Sequence, residues 1–227
     1  MSRGVSVYIV AEGKTEQTFI RDVLAPELAN KGIYVSPSVI GKPNHKGGCV
    51  TFERAKADLS RFLKQRQDTV ISTMFDFFRI DPNWPGLAGL NQTAPSYVKA
   101  ETLERAMLAE IKLEFPELRA EDRFIPYVSM YEFEALLFSS PQALAQKAGI
   151  SEAKLVQVID ECGTPEEINS RPEHAPSKRI ERMNPQYKKT VNGISAAKAM
   201  GLPVIREKCP HFNQWITRIE ALVPIDG

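Results

Sequence analysis

The residues best suited to chemistry in this sequence are acids that follow apolar, β-branched runs. Glu12 comes just after Val5-Ser6-Val7-Tyr8-Ile9-Val10, and Asp76 closes Thr69-Val70-Ile71-Ser72-Thr73-Met74-Phe75. Glu132 and Glu134 follow a further run, Arg123 to Met130. Such runs read as buried strands, and ligands of open α/β sheets collect at the carboxyl ends of strands. Carboxylates from several strand ends can therefore share one crevice. Hard, oxygen-rich donor sets suit Mg²⁺ or Mn²⁺, which bind few carboxylates and keep waters for a substrate phosphate. Glu12 and Asp76 are the expected primary ligands, with Glu132 or Glu134 completing the site. Glu16 has two readings. It is a ligand or general base, or a first-turn acid where negative charge favours a helix start by about 0.3–1 kcal/mol.

Metal-assisted phosphodiester chemistry also needs a cation to meet developing charge. The densest basic clusters are Ser177-Lys178-Arg179 and Tyr187-Lys188-Lys189, with Arg182 between them. Lys178, Arg179 and Lys188 are the candidates for that role. Lys178, Arg179, Arg182, Lys188 and Lys189 together suit phosphate contacts, with Tyr187 for base stacking. The same residues could equally form a solvated helix face. Gly41 to Gly48 carries Lys42, His45 and Lys46 between glycines. It reads as a surface loop, or as a loop whose Lys42 and Lys46 touch a polyanion, and it lacks the Gly-Lys-Ser/Thr ending of a P-loop. A zinc site from His45, Cys49, Cys209 and His211 has poor spacing. No cysteine shows the setting of a nucleophile.

The elements that must position these groups alternate. After the first strand, Phe19, Ile20, Val23, Leu24 and Leu28 recur at helical spacing, and Ile33 to Ile40 reads as a second strand. Phe52, Ala55, Leu59 and Leu63 mark a second helix before the strand that ends at Asp76. Strand, helix, strand, helix, strand predicts a parallel sheet covered by helices. Residues 77–96 form a long ordered loop rich in proline, glycine and aromatics, and a helix follows from about Tyr97 to Leu113. A single strand is expected over Arg123 to Met130, with Pro126 suited to an edge. Residues from Tyr131 to Phe138, Pro141 to Ala148 and Ser151 to Glu161 read as helical. Phe212, Trp215, Ile216 and Ile219 place a last helix on the body.

The run Glu12-Gly13-Lys14-Thr15-Glu16 after a strand, with Asp76 after a later one, resembles a TOPRIM-type catalytic domain, as in topoisomerases, primases and OLD-type nucleases. More closely, the chain resembles the bacterial family called domain of unknown function 4276. That likeness rests on the same run and on Gly47-Gly48, Met74-Phe75-Asp76-Phe77-Phe78, Trp84-Pro85-Gly86 and Glu132-Phe133-Glu134-Ala135-Leu136-Leu137-Phe138. Pro176-Ser177-Lys178-Arg179, Tyr187-Lys188 and Cys209-Pro210-His211-Phe212 continue it. The resemblance implies a TOPRIM-like fold and an Mg²⁺- or Mn²⁺-dependent nuclease, encoded beside an AAA-type ATPase in anti-phage defence loci. Phe78 stands where the second acid of the TOPRIM Asp-x-Asp would be, and Asp81 or Glu134 could substitute for it. Tyr131 stands where a histidine would precede Glu132.

Composition sets the outer limits. The 227 residues, 43% hydrophobic and 25% charged, suit one soluble domain with an ample core. The expectation is an α/β core over residues 1–140 and a mainly helical, basic part over 141–227 packed on it. The net charge of +1 conceals an asymmetry: 15 acidic against 7 basic residues from Glu101 to Glu173, net −8, then 8 basic against 2 acidic from His174 to Lys208, net +6. A basic segment of this kind points to a polyanion, or else faces the acidic middle. No apolar run is long enough for a membrane span. Met1-Ser2-Arg3-Gly4 has no signal-peptide layout, and three scattered cysteines suit a reducing cytoplasm. Two other readings stay open, a non-catalytic nucleic-acid-binding or regulatory subunit and a phosphoryl-transfer enzyme for small nucleotides. A homo-oligomer is compatible with all of them.

Overall fold

The computed structural model describes residues 4–41, 50–168 and 173–225. Lys42, His45, Lys46, Gly47, Gly48 and Cys49, singled out above, lie outside the described residues.

The chain opens with β1 (Val5–Ala11), α1 (Lys14–Phe19), a π-helical turn (Ile20–Leu24), α2 (Ala25–Ala29) and β2 (Ile33–Val39). Then come α3 (Phe52–Gln65), β3 (Thr69–Asp76) and α4 (Ser96–Glu114). Among the described residues the sheet is parallel and five-stranded, in the order β2-β1-β3-β4, with β5 also on β3. The strand alternation sorts side chains to two cores. Val5, Val7, Ile9 and Ala11 of β1 with Val70 and Met74 of β3 face one apolar cluster. Val10, Ile71 and Phe75 face the other, with Phe52 and Leu59 of α3 and Leu103 and Met107 of α4. β3 is covered on both faces, as a central parallel strand requires.

The expected strand over Arg123 to Met130 is a correction. After α5 (Ala120–Arg123), two short pieces, β4 (Phe124–Ile125) and β5 (Val128–Ser129), both pair with β3. Pro126 between them has no N–H to give to the ladder. Hydroxyls of β3 make up the loss: Thr73 Oγ1 accepts from Tyr127 N at 2.8 Å and donates to Tyr127 O at 3.0 Å. Ser72 Oγ donates to Ile125 O at 2.6 Å and accepts from the Trp215 indole at 2.8 Å.

The remainder is helical: α6 (Phe133–Leu137), α7 (Pro141–Ala148), α8 (Glu152–Cys162), α9 (Pro176–Met183), a second π-helical turn (Lys189–Gly193), α10 (Ile194–Lys208) and α11 (Pro210–Glu220). α10 is interrupted at Gly201, whose φ of 76° is open to glycine, two residues before Pro203. Phe212, Trp215, Ile216 and Ile219 of α11 join the cluster that contains the β1 side chains, along with Leu144, Ile180 and Ile205. Among the described residues no helix is long and apolar enough to cross a membrane.

Three acids of the net-negative middle are spent on helix starts. Glu132 accepts from Ser177 N at 2.9 Å and Ser177 Oγ at 3.1 Å, at the first turn of α9. Glu166 accepts from His211 N at 3.0 Å and Phe212 N at 2.9 Å, at the start of α11. Glu167 accepts from Ser96 N at 2.9 Å and Ser96 Oγ at 2.6 Å, at the start of α4. In each case a carboxylate from another element meets N–H groups that have no partner inside their own helix.

Candidate functional site

The carboxyl ends of β1 and β3 and the start of α6 are laced together by acids. Glu12 N donates to Met74 O at 3.2 Å, carrying the β1–β3 ladder one residue past β1. Its Oε2 accepts from Asp76 N at 3.2 Å, and Asp76 Oδ1 accepts from Phe133 N at 3.1 Å. The next residue, Glu134, is wholly buried, and neither of its oxygens accepts a hydrogen bond. Its Oε1 lies 3.4 Å from Lys189 Nζ. Glu16, also buried, sits in the first turn of α1, where the dipoles of the Gly13 N–H and of its own N–H act on its carboxylate. A Cβ on Gly13 would come within 3.0 Å of Glu16 Oε2, so glycine leaves the carboxylate room to fold back.

These groups act on one another. Burial pushes the Asp76 carboxyl well above its ordinary value, and the charges of Glu16, Glu12, Glu134 and Glu132 push it further. Burial raises Glu12 to about 7, against the pull of the Asp76 N–H and with a push from Glu16. Burial likewise raises Glu134 to about 7, while Lys189 holds it down. Glu16 is raised by burial and restrained by its two N–H groups. Burial would lower the Lys189 ammonium, but Glu134, Asp76, Glu16 and Glu132 outweigh it and the net shift is upward. Crowded, largely desolvated carboxylates favour protons or a cation.

The donor types, though not their present arrangement, suit a hard divalent cation. Every donor is a carboxylate oxygen, and Glu134 offers two buried oxygens without hydrogen bonds. The Tyr187 hydroxyl, buried and also without a hydrogen bond, lies in the field of Glu134 and Glu132, which together with burial raises its pKa. Among the described residues no three His, Cys, Asp or Glu side chains stand ready to hold a metal ion as they are. Backbone N–H groups hydrogen-bond to Glu12, Asp76 and Glu132, and an ammonium engages Glu134.

Glu12, Glu16, Asp76, Glu132 and Glu134 are thus brought together. Asp81 is held in a local turn, its Oδ1 accepting from Asn83 N at 3.1 Å. The lysine at the cluster is Lys189, not Lys188. The Lys188 side chain is exposed, and its backbone N donates to Asn192 Oδ1 at 2.9 Å. Two adjacent lysines point apart where a π-helical turn begins, which residue type alone cannot reveal. Lys178 pairs with Glu181 at 2.5 Å. Arg179 donates to His174 O at 3.0 Å and reaches Glu161 at 3.7 Å, so with Lys189–Glu134 two ion pairs of the basic segment face the acidic middle among the described residues. Arg182 and Lys188 are exposed and have no side-chain partner among the described residues. Cys209 contacts Ser139 and His211 pairs with Glu104 at 2.9 Å, so these two serve separate contacts.

The chain belongs to the family described as domain of unknown function (DUF4276). The family model matches residues 11–220, a span that contains Glu12, Glu16, Asp76, Glu132, Glu134 and Lys189. No curated protein and no solved structure matches the chain. In this DUF4276 chain, local strand and helix boundaries bring acids from residues 12 to 134 to one sheet end, and a turn at residues 189–193 adds the lysine.

Proposed function

We propose that the protein is a metal-dependent nuclease hydrolysing phosphodiesters of DNA or RNA, on a TOPRIM-like core related to that of OLD-type nucleases. The observation that carries this reading is the convergence of Glu12, Asp76 and Glu134 at one sheet end, with both Glu134 oxygens buried and free of hydrogen bonds. Glu12, Asp76 and Glu134 would hold Mg²⁺ or Mn²⁺, which supplies Lewis-acid polarisation and a more acidic bound water. Glu132 stays bonded to Ser177, and Glu132 and Glu16 shape the field around those ligands. Glu12 and Glu134, both titrating at about 7, can hold or give up a proton at working pH. Lys189 is the cation nearest the site, and the exposed Arg182 and Lys188 offer charges for the nucleic-acid backbone. We further propose that the chain works with an AAA-type ATPase in an anti-phage defence pair in the cytoplasm.

A second reading, a non-catalytic nucleic-acid-binding or regulatory subunit, is favoured by Phe78, which takes the place of the second TOPRIM acid. One experiment separates them. Purified protein is incubated with plasmid, single strands and tRNA in Mg²⁺, Mn²⁺ or EDTA, alone and with the neighbouring ATPase. Cleavage that needs the metal and is lost in Glu12→Gln and Asp76→Asn supports the nuclease. Binding without cleavage under every condition supports the subunit.

A further inference from the structure

The buried charge at the sheet end is held in a particular way. Glu132 accepts from the Ser177 N–H and hydroxyl, and Glu12 from the Asp76 N–H, whereas neither oxygen of Glu134 makes a hydrogen bond and only the field of its own N–H reaches it. What faces Glu134 is the Lys189 ammonium, in its one ion pair among the described residues. The two partners differ sharply in access: the Glu134 side chain is 0% exposed and that of Lys189 48%. The backbone beneath the lysine is anchored. A Cβ on Gly193 would fall 2.6 Å from the Tyr187 hydroxyl and 3.2 Å from Leu137 Cδ1, so the turn over Lys189–Gly193 lies tight against α6. Only the flexible stem of the lysine bridges this fixed turn and the carboxylates, with water on one side of it.

We propose that Lys189 is a stand-in cation, occupying the carboxylate site when no metal is bound and swinging toward solvent when a divalent ion takes its place. This rests on the metal-dependent reading above. A buried carboxylate with no hydrogen bond needs a positive neighbour. A half-exposed ammonium can leave at small cost, because its desolvated fraction is modest and its stem is flexible. Once withdrawn from Glu134, the same ammonium stands at the mouth of the site with its charge free for an incoming phosphate oxygen. A positive charge therefore faces Glu134 in both states.

The test is Mn²⁺ binding by calorimetry, with no substrate present, at mildly alkaline pH where Glu12 and Glu134 are ionised. Wild type is compared with Lys189→Met and Lys189→Gln, and with Lys198→Met, a charge-matched control at the remote Asp22 pair. Circular dichroism in EDTA confirms that each variant is folded. If Lys189 competes for the site, both Lys189 variants bind Mn²⁺ about tenfold tighter, because wild type must first give up the Lys189–Glu134 attraction, which at 3.4 Å is worth roughly that factor even at the dielectric constant of water. The Lys198 variant stays within about twofold of wild type, well short of that effect. Wild-type binding with unchanged or weaker affinity in both Lys189 variants overturns the stand-in role and leaves the metal site standing. No Mn²⁺ binding by wild type or any variant overturns both.

Discussion

Raising the pH should loosen this protein in the absence of divalent metal, and the sign follows from the raised carboxyls. Glu12 and Glu134 titrate at about 7 when folded, against an ordinary 4.5. Between those values the native state holds more protons than the unfolded chain, so stability falls as pH rises through the window. Moving one such carboxyl is worth about 3 kcal/mol at ~1.4 kcal/mol per pH unit. The two share neighbours, so a combined loss of roughly 3–5 kcal/mol is a sounder figure than their sum. At about 2–4 °C per kcal/mol for a chain of this size, Tm should drop by roughly 6–20 °C between pH 5 and pH 8.5. His211 acts in the same direction. Burial lowers its pKa, but the hydrogen bond and charge of Glu104 raise it on balance, so its contribution is full below about 6.5 and lost above its folded value. Glu134→Gln separates the two causes, since it removes one carboxyl and leaves His211 untouched. Thermal melts in EDTA across that range, for wild type and Glu134→Gln, are the assay. The wild-type curve should decline and the variant should decline less, ending at or above wild type at pH 8.5. Added Mg²⁺ at 100 times its Kd should restore about 2.7 kcal/mol at the alkaline end. A wild-type Tm that is flat or rises from pH 5 to 8.5 would refute the claim that these carboxyls are buried together.

Other perturbations probe the frame around the site. Arg123 is 2% exposed and its guanidinium donates to the carbonyls of Thr69, Leu118, Leu63 and Arg66. Arg123→Met should cost about 2–4 kcal/mol in urea unfolding, because it strands those carbonyls in the interior. Gly193→Ala should destabilise by about 1–3 kcal/mol, since its Cβ meets Tyr187 and Leu137. A melt identical to wild type would mean that the turn yields freely. Replacing Arg182 and Lys188 by Ala should reduce the log–log salt slope of nucleic-acid binding by about 0.7–0.9 for each phosphate that is no longer neutralised. An unchanged slope would remove them from the interface.

The alternation of strands and helices was legible because period-2 and period-3.6 apolar patterns record local geometry, and β1, β3 and α3 lie where those patterns end. Glu12 and Asp76 were legible for the same reason: a strand end is a local event, and the parallel order then sets neighbouring ends side by side. The break at Pro126 was visible as a residue, but its repair by Ser72 and Thr73 depends on a partner strand more than 50 residues away in the chain. What Glu132, Glu166 and Glu167 do could not be read from their surroundings in the chain, because each carboxylate serves the start of a helix that only folding brings near. The same limit governs the lysines. Lys188 and Lys189 are identical in type and adjacent in sequence, and only the docking of the turn at Gly193 against α6 turns one toward Glu134 and leaves the other in water. The amino-acid sequence alone thus determined the elements and the residues at their ends. Tertiary structure decided which buried acid is left without a hydrogen bond and which cation answers it, because burial and charge pairing are properties of neighbours in space.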